Sequence, residues 1–272
     1  MPALSIRHIA LTFPNRYDST EMNALCMARI GELSHALETR GFAVARIPRD
    51  DMPQSLDDFD LVVAAGGDGT QLDAATRIHA DTPLCPVRLF PERSVGYLCR
   101  MDYSDFDTFA ELLRTPDRLK IDTLPRLACT INGEMLPTPV VNDILVAHEC
   151  PARASRYRIT YGDRTQLQCS SGIWIATNAG SHAAAKAAGA APLPPDDSDG
   201  CVFAVRELSQ WPDDENPLKS SRFLPQRDIL RIEAISSNLH IYTDGALAQY
   251  PVHKHQKIGF LPYPTPLIRV FC

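Results

Sequence analysis

A glycine-rich turn with a single acidic residue follows an apolar segment in the first third of the chain. The apolar residues 61–65 lead directly into Gly66-Gly67-Asp68-Gly69-Thr70. Glycine has no side chain and tolerates positive φ, so the N–H groups of such a turn can approach a polyphosphate closely. A helix over residues 70–78 would point its positive end at the same place. Asp68 would then stand beside phosphate and hold a proton or a metal ion; the alternative is an ordinary tight turn between a strand and a helix.

Two further stretches have the residue types of a nucleotide site. Asn142 and Asp143 lie inside the apolar strand that we predict over residues 140–146, and their donor and acceptors suit an adenine edge or ribose hydroxyls. The small residues 177–181 follow a strand-like run and could form a second cradle before a helix. Read alone, the first stretch is equally compatible with a bulge or a buried turn, and the second with a plain strand–helix connection.

Three basic residues near these motifs are candidates for phosphate contacts. His182 follows the small-residue loop, Lys186 lies one helical turn further on, and Arg93 precedes Gly96. Each has a structural alternative, respectively a surface histidine, a solvated lysine and a structural salt bridge.

Strands and helices alternate in the first part of the chain, which favours a parallel sheet with ligands at the carboxyl ends of its strands. Asp18 and Glu21 have the spacing of a capping box for a helix that Gly41 would end. We predict strands over residues 6–13, 42–47 and 59–65, and a short helix over residues 104–113.

The pattern changes near Pro125 to strand-like runs joined by turns such as Asn132-Gly133 and Asp244-Gly245. We therefore predict an α/β domain over residues 1–124 and a mainly antiparallel β domain over residues 125–256. Residues 257–272 are expected to return to the first domain. The second domain is expected to contain a helix over residues 181–190 and surface loops over residues 191–199 and 211–221. His253 and His255 are expected to alternate along a strand as surface residues.

Composition excludes several classes of protein. The 272 residues carry a formal net charge of −6, which argues against nonspecific nucleic-acid binding. No apolar run approaches the roughly 18 to 20 residues of a membrane span, and the first 13 residues lack a signal core. The eight cysteines form no C-x-x-C pair, so reduced thiols are favoured over a zinc site. We expect a cytoplasmic protein with no membrane partner and no protein-held metal.

The motifs in series resemble the NAD kinase family over nearly the whole chain. In chain order they are Gly66-Gly67-Asp68-Gly69-Thr70, Gly96-Tyr97-Leu98, Asn142-Asp143, the Gly180-Ser181 loop and Asp244-Gly245. The first motif is shared with diacylglycerol-type lipid kinases and, loosely, phosphofructokinases, but the later pieces favour NAD kinase. The resemblance implies a Rossmann-like α/β N-terminal domain followed by an all-β C-terminal domain. The details that resemble the mitochondrial-type branch are Arg93-Ser94, Arg153-Ala154-Ser155, Ser170-Ser171-Gly172 and residues 203–207.

The resemblance also implies a reaction and its residues. Asp68 would be the general base that takes the proton of the adenosine ribose 2′-hydroxyl of NAD, which then attacks the γ-phosphate of ATP to give NADP. Mg²⁺ would come with ATP, held mostly by phosphate oxygens. The remaining implied residues are Gly66, Gly67, Gly69 and Thr70 for phosphate, Tyr97, Asn142 and Asp143 for the dinucleotide, and Thr177, Gly180, Ser181 and His182 for the second cradle.

Two departures from the family pattern concern the substrate. The family usually has Asn-Glu where this chain has Asn142-Asp143, so the carboxylate is kept but reaches one methylene less far. The family also has an aromatic residue where this chain has Ala184. The ring that would stack on the substrate is therefore absent, at a cost of about 0.5 to 1.5 kcal/mol unless another ring replaces it.

Two other functions fit the same motifs. One is a non-catalytic NAD(P)- or nucleotide-binding protein, which the altered loop favours and the intact Asp68 disfavours. The other is a related kinase that acts on another alcohol, such as a lipid or a sugar. The resemblance further implies a homodimer or higher homo-oligomer formed through the β domain, whose open sheet edges make this physically reasonable.

Overall fold

The computed structural model describes residues 6–209 and 216–272. They form two compact units: the first runs to Leu124 and includes Thr265–Cys272, and the second is Pro125–Pro264. The predictions for the first 13 residues and for the loop over residues 211–221 fall partly outside the described ranges. Within those ranges, no helix is both long and apolar enough to cross a membrane.

The first unit alternates strands with helices. In chain order its elements are β1 (His8–Phe13), α1 (Thr20–Glu38), β2 (Ala43–Pro48), β3 (Leu61–Gly66), α2 (Asp68–Ala75), β4 (Leu84–Arg88), β5 (Met101–Asp102), α3 (Phe106–Leu112) and β6 (Lys120–Leu124). The strands β2-β1-β3-β4 are parallel neighbours in that order, and β5 pairs with β4. The carboxyl ends of β1, β3 and β4 therefore share one edge, and the glycine turn follows β3 at that edge.

Burial explains the central strands and the packing of the helices on them. β3 is buried at every position, as a parallel strand covered on both faces must be. Ile30 and Leu37 of α1 pack into the same core. The predicted capping box was wrong, because α1 begins at Thr20 and is capped by Ser19, whose hydroxyl accepts the N–H of Met22 at 3.2 Å.

The second unit consists almost entirely of strands. In chain order these elements are β7 (Leu127–Ile131), β8 (Glu134–Met135), β9 (Asp143–His148), β10 (Ser155–Tyr161), β11 (Arg164–Ser170), β12 (Ile173–Thr177), α4 (Ala184–Ala187), β13 (Cys201–Val205), β14 (Ser220–Phe223), β15 (Leu230–Ala234), β16 (Leu239–Thr243), β17 (Ala248–Val252) and β18 (Lys257–Pro262). They form two antiparallel sheets, β11-β10-β15-β18-β7-β8 and β14-β13-β12-β9-β16-β17. Both sheets contribute to one apolar core, including Tyr157 and Phe203, so the unit is a sandwich.

The C-terminal strand β19 (Leu267–Phe271) belongs to the first unit, where it pairs with β4 in parallel and with β6 antiparallel. The predicted start of this return at residue 257 was wrong. Residues 257–262 form β18, which pairs with β15 and β7 in the second unit.

Three smaller predictions have mixed outcomes. His253 and His255 are exposed, but they lie in the turn between β17 and β18 rather than along a strand. The predicted helix over residues 181–190 is only the single turn α4, preceded by a 3₁₀ turn at Ala179–His182. The eight cysteines are free thiols.

Candidate active site

The glycine turn of the first unit connects β3 to α2. Gly67 is the N-cap of α2, and the N–H groups of Thr70 and Gln71 are bonded to its carbonyl. Gly66 is needed for space, because a Cβ there would lie 2.3 Å from the Thr70 hydroxyl oxygen. Gly69 is exposed, so the turn presents bare backbone at this position.

Asp68 is half-buried beside this turn, and both of its carboxylate oxygens are engaged. The Tyr97 N–H donates to Oδ2 at 3.1 Å and the Leu98 N–H donates to Oδ1 at 2.9 Å. These two bonds fix the plane of the carboxylate, while each oxygen keeps a further lone pair for a proton donor. The structure thus places the backbone of Tyr97 next to Asp68, and Tyr97 itself is 64% exposed.

A positive charge that the sequence interpretation missed lies next to the turn. Nη1 of Arg49 is 3.4 Å from the position that a Cβ on Gly69 would occupy. Its Nε is bonded at 2.8 Å to Asp73, a buried residue of α2. Arg77 bonds the other oxygen of Asp73 at 3.1 Å. The guanidinium of Arg49 is therefore held at the tip of the turn, where an anion would approach the backbone N–H groups.

In the second unit, Asn142 and Asp143 lie at the start of β9 rather than inside it. The predicted continuous strand was wrong, because the carboxylate of Asp244 takes the N–H groups that would otherwise pair in the sheet. These N–H groups belong to Val141, Asn142 and Asp143, at 2.9, 2.7 and 3.0 Å. Asp244 has a φ of +45° in the turn after β16, so the turn that the sequence predicted also clamps the Asn-Asp motif.

Burial perturbs both carboxyl groups of this clamp. Burial raises the pKa of Asp244 to about 7, against the three N–H bonds, which act to lower it. Burial also raises the pKa of Asp143 to about 6, and the backbone N–H of Gly245 acts to lower it. The two carboxyls repel each other when both are ionised, which adds to the shift of Asp244.

Asn142 has an acceptor that the described residues leave unused. Its side-chain Oδ1 is buried and receives no hydrogen bond within residues 6–209 and 216–272. A buried acceptor without a donor costs about 1 to 3 kcal/mol. The amide oxygen therefore fits a donor supplied from outside the protein, such as a hydroxyl or an amino group.

Thr177, Gly180 and Ser181 stand next to the Asn-Asp motif, but their groups are used within the fold. The Thr177 hydroxyl donates to the Val141 carbonyl at 2.5 Å and accepts the Gly180 N–H at 3.2 Å. A Cβ on Gly180 would lie 2.1 Å from the Asn142 carbonyl oxygen. Ser181 is fully buried, and its hydroxyl bonds the backbone around Asn178 and Leu193.

Comparisons with known proteins identify the family. A protein of Oryza sativa subsp. japonica named "Probable NADH kinase" is 33% identical over 245 residues, which cover 82% of this chain and 74% of that protein. The NADH kinase of Arabidopsis thaliana is 30% identical over 247 residues, which cover 83% of this chain and 76% of that protein. The chain belongs to the NAD kinase family. Its members are phosphotransferases, so the chain is an enzyme of that class.

Solved structures of NAD kinase family proteins share the fold. An NAD kinase from Archaeoglobus fulgidus in complex with ATP has a TM-score of 0.73 at 17% identity and covers 96% of this chain and 92% of its own. Yeast NADH kinase complexed with NADH has a TM-score of 0.74 at 17% identity, and the match covers 98% of this chain and 84% of the yeast chain. No family model matches the chain. The predicted combination of an α/β unit and an all-β unit is confirmed.

The loop that departs from the NAD kinase pattern borders an open cavity of about 530 Å³. Ala184 lines this cavity together with Trp174 and Arg206, and the Arg206 guanidinium lies 5.9 Å from the Trp174 ring. An aromatic ring is thus present near Ala184. His182 and Lys186 are exposed on the same short segment.

Other cavities and the remaining basic candidate add little to the candidate site. Thr177 also lines a cavity of about 310 Å³ with Arg126 and Asp199. A cavity of about 720 Å³ over the β15–β18 side of the sandwich contains none of the predicted site residues. Arg93 is exposed. Within the described ranges, no three His, Cys, Asp or Glu side chains cluster closely enough to hold a metal ion.

Proposed function

We propose that this NAD kinase family member transfers the γ-phosphate of ATP to the 2′-hydroxyl of the adenosine ribose of NAD or NADH, giving NADP or NADPH. Asp68 is the general base. The observation that carries the proposal is the placement of Asp68: a carboxylate of fixed orientation beside a glycine turn at the carboxyl edge of a parallel sheet. The relatives named NADH kinase support the reduced dinucleotide as substrate, and the oxidised one rests on the resemblance of the motifs to NAD kinases.

The first unit provides what phosphoryl transfer demands, which is positioning and charge neutralisation. The exposed backbone of Gly69 and the N-terminus of α2 receive phosphate oxygens. Arg49 stands where it can neutralise them. Asp68 accepts the proton of the attacking hydroxyl on a lone pair that the Tyr97 and Leu98 N–H groups leave open.

The second unit provides recognition of the dinucleotide through Asn142 and Asp143. The unused Oδ1 of Asn142 accepts a hydrogen bond from the substrate, and the carboxyl of Asp143 accepts ribose hydroxyls. Thr177, Gly180 and Ser181 hold this pair in place rather than contact the substrate, since their polar groups are bonded inside the fold. His182 is exposed on the segment that follows Ser181, and it contacts a phosphate group of the nucleotide.

Two further features are carried over from the family resemblance. Mg²⁺ enters with ATP and is held mainly through phosphate oxygens, which suits a protein with a single carboxylate, Asp68, at the turn. The protein forms a homodimer or a higher homo-oligomer. The cytoplasmic location expected from the sequence is a separate proposal.

The test is product formation from purified protein with Mg-ATP and either NAD or NADH. NADP or NADPH is detected by an enzyme that accepts only the phosphorylated dinucleotide, with Asp68→Asn as the control. Product from the wild type and at least ~100-fold less from Asp68→Asn is expected, because general base catalysis typically contributes 10² to 10⁴-fold. Product from neither protein, with NAD(H) still bound in calorimetry, would instead establish a binding protein. Product in equal amounts from both would refute Asp68 as the base.

A further inference from the structure

Asp68 is held by a short loop, residues 94–98, that follows β4. The consecutive N–H groups of Tyr97 and Leu98 both point at its carboxylate, at 3.1 and 2.9 Å. Successive N–H groups of an extended chain point in opposite directions, so the loop must curl to present both. Gly96 allows this with a φ of +66°, the left-handed conformation from which anion-binding loops are built.

Arg88, the last residue of β4, provides the support around which this loop curls. Its guanidinium forms a two-point ion pair with Asp102, at 2.7 and 3.0 Å. Its remaining Nη1 donates to the carbonyls of Ser94 at 3.4 Å and Val95 at 3.2 Å. A Cβ on Gly96 would lie 2.7 Å from the Arg88 Cδ, so the loop passes directly over this side chain.

Arg269 holds the other end of the loop from the C-terminal strand β19. It forms a two-point ion pair with Asp122, at 2.7 Å for both bonds, and its Nη1 donates to the carbonyl of Leu98 at 3.4 Å. Arg269 is 3% exposed. The residue that donates its N–H to Asp68 is thereby fixed through its carbonyl by a buried cation 171 positions away in the sequence.

We propose that Arg88 and Arg269 are positioning residues for Asp68, acting through the 94–98 loop to orient its carboxylate for proton abstraction. The inference rests on the proposed function. The two arginines do not touch the carboxylate themselves; they determine where the Tyr97 and Leu98 N–H groups lie. Since a displacement of about 1 Å at a reacting group can lower a rate about 100-fold, loss of either arginine should act on turnover rather than on substrate binding.

Arg88→Ala and Arg269→Ala are compared with Arg40→Ala. Arg40 is a matched control in the same unit, because it also pairs with two carboxylates, Asp107 and Glu111, at 2.9 and 3.0 Å. In each Arg88 and Arg269 variant, kcat is expected to fall roughly 30- to 100-fold, with KM for ATP and for NAD(H) within about threefold. Arg40→Ala should keep kcat. Added guanidinium ion, well below denaturing concentration, should restore part of the activity of Arg88→Ala. It should not raise the activity of Arg269→Ala or Arg40→Ala.

Amide hydrogen exchange supplies a readout that does not depend on activity. Exchange at Tyr97 and Leu98 should speed up in Arg88→Ala and Arg269→Ala and not in Arg40→Ala. The inference would be overturned if the Tyr97 and Leu98 amides exchange as slowly in those variants as in the wild type. It would also be overturned if they exchange faster while kcat is unchanged. If Arg88→Ala does not fold, Arg88→Lys gives the same test, because an ammonium cannot bond Asp102 and two carbonyls together. A wild type without kinase activity would refute the proposed function instead, which separates the two failures.

Discussion

Asp68 and Asp244 are two aspartates that accept backbone N–H groups, one in a turn of each unit, yet they differ in what else surrounds them. Asp68 is half-buried, and its neighbour Gly69 leaves backbone exposed. Asp244 is buried, and its three N–H partners belong to the segment that it clamps. The comparison shows that a motif of Gly, Asp and small residues does not by itself indicate a ligand site. Exposure and the identity of the N–H donors decide whether the carboxylate meets a substrate or holds the fold.

The largest effect on stability should come from one methyl group added at Gly180, in the loop after β12, and not from the same addition at Gly69, in the turn of Asp68. Gly180→Ala places a Cβ 2.1 Å from a backbone carbonyl oxygen, so we expect a loss of about 3 kcal/mol or more in the free energy of unfolding. Gly69→Ala meets only the end of the Arg49 side chain, at 3.4 Å. It should range from no change to a gain of about 1 kcal/mol, because alanine favours the helix. Urea unfolding of both variants measures the difference, and equal losses would erase the distinction between an open and a packed turn.

The buried carboxyls of Asp143 and Asp244 should make the free energy of unfolding depend on pH. In the unfolded chain Asp143 and Asp244 titrate near 3.8, whereas in the fold their pKa values are about 6 and about 7. Between about pH 4 and pH 7 the folded protein therefore holds more protons than the unfolded chain. The contribution of these two carboxyls to the free energy of unfolding is fully present below about pH 4. It decreases as the pH rises from there through the two folded-state pKa values.

Asp143→Asn isolates this effect, because an amide resembles the protonated carboxyl. Relative to the wild type, the variant should gain about 1 to 2 kcal/mol at pH 8 compared with pH 4.5. Denaturant unfolding at the two pH values provides the measurement. If the variant and the wild type differ in free energy of unfolding by the same amount at both pH values, burial does not destabilise the ionised form of Asp143.

The smallest effect concerns the missing ring at position 184. Ala184→Tyr should tighten NAD binding by about two- to tenfold, the stacking contribution of one ring. Ala184→Leu adds apolar area without a ring and serves as the control. Calorimetry that shows unchanged or weaker binding for the tyrosine variant, or equal gains for both variants, would contradict a stacking role for a ring at position 184.

Local patterns predicted much of this molecule because they depend on neighbouring residues. The buried strand before the glycine turn, the hairpin at Asn132-Gly133 and the change of pattern near Pro125 all follow from short-range rules of propensity and turn chemistry. The Asn132 and Gly133 φ values of 54° and 90° are those that a two-residue hairpin requires.

The supporting contacts were not predictable because they join distant parts of the chain. Asp244 meets the Asn-Asp motif across 101 to 103 positions, and Arg269 meets Leu98 across 171. In the sequence, nothing distinguishes Arg49 from an ordinary surface residue. Its proximity to Gly69 becomes visible only in the folded structure. Ser181 shows the reverse case, since it matches a family motif yet its hydroxyl serves the fold.

The most direct test of this division is the turnover number of Asp68→Asn and Asp244→Asn, measured with saturating Mg-ATP and NAD or NADH at a temperature where both variants are folded. Asp68→Asn is expected to lose at least ~100-fold in kcat. Asp244→Asn is expected to stay within about tenfold of the wild type in kcat. Its free energy of unfolding at about pH 5, where the wild-type carboxyl is protonated in the fold, should drop by about 1 to 3 kcal/mol, because an amide NH2 group cannot accept the Val141 N–H. An Asp68→Asn enzyme that turns over like the wild type, or an Asp244→Asn enzyme that is fully stable but inactive, would contradict this division.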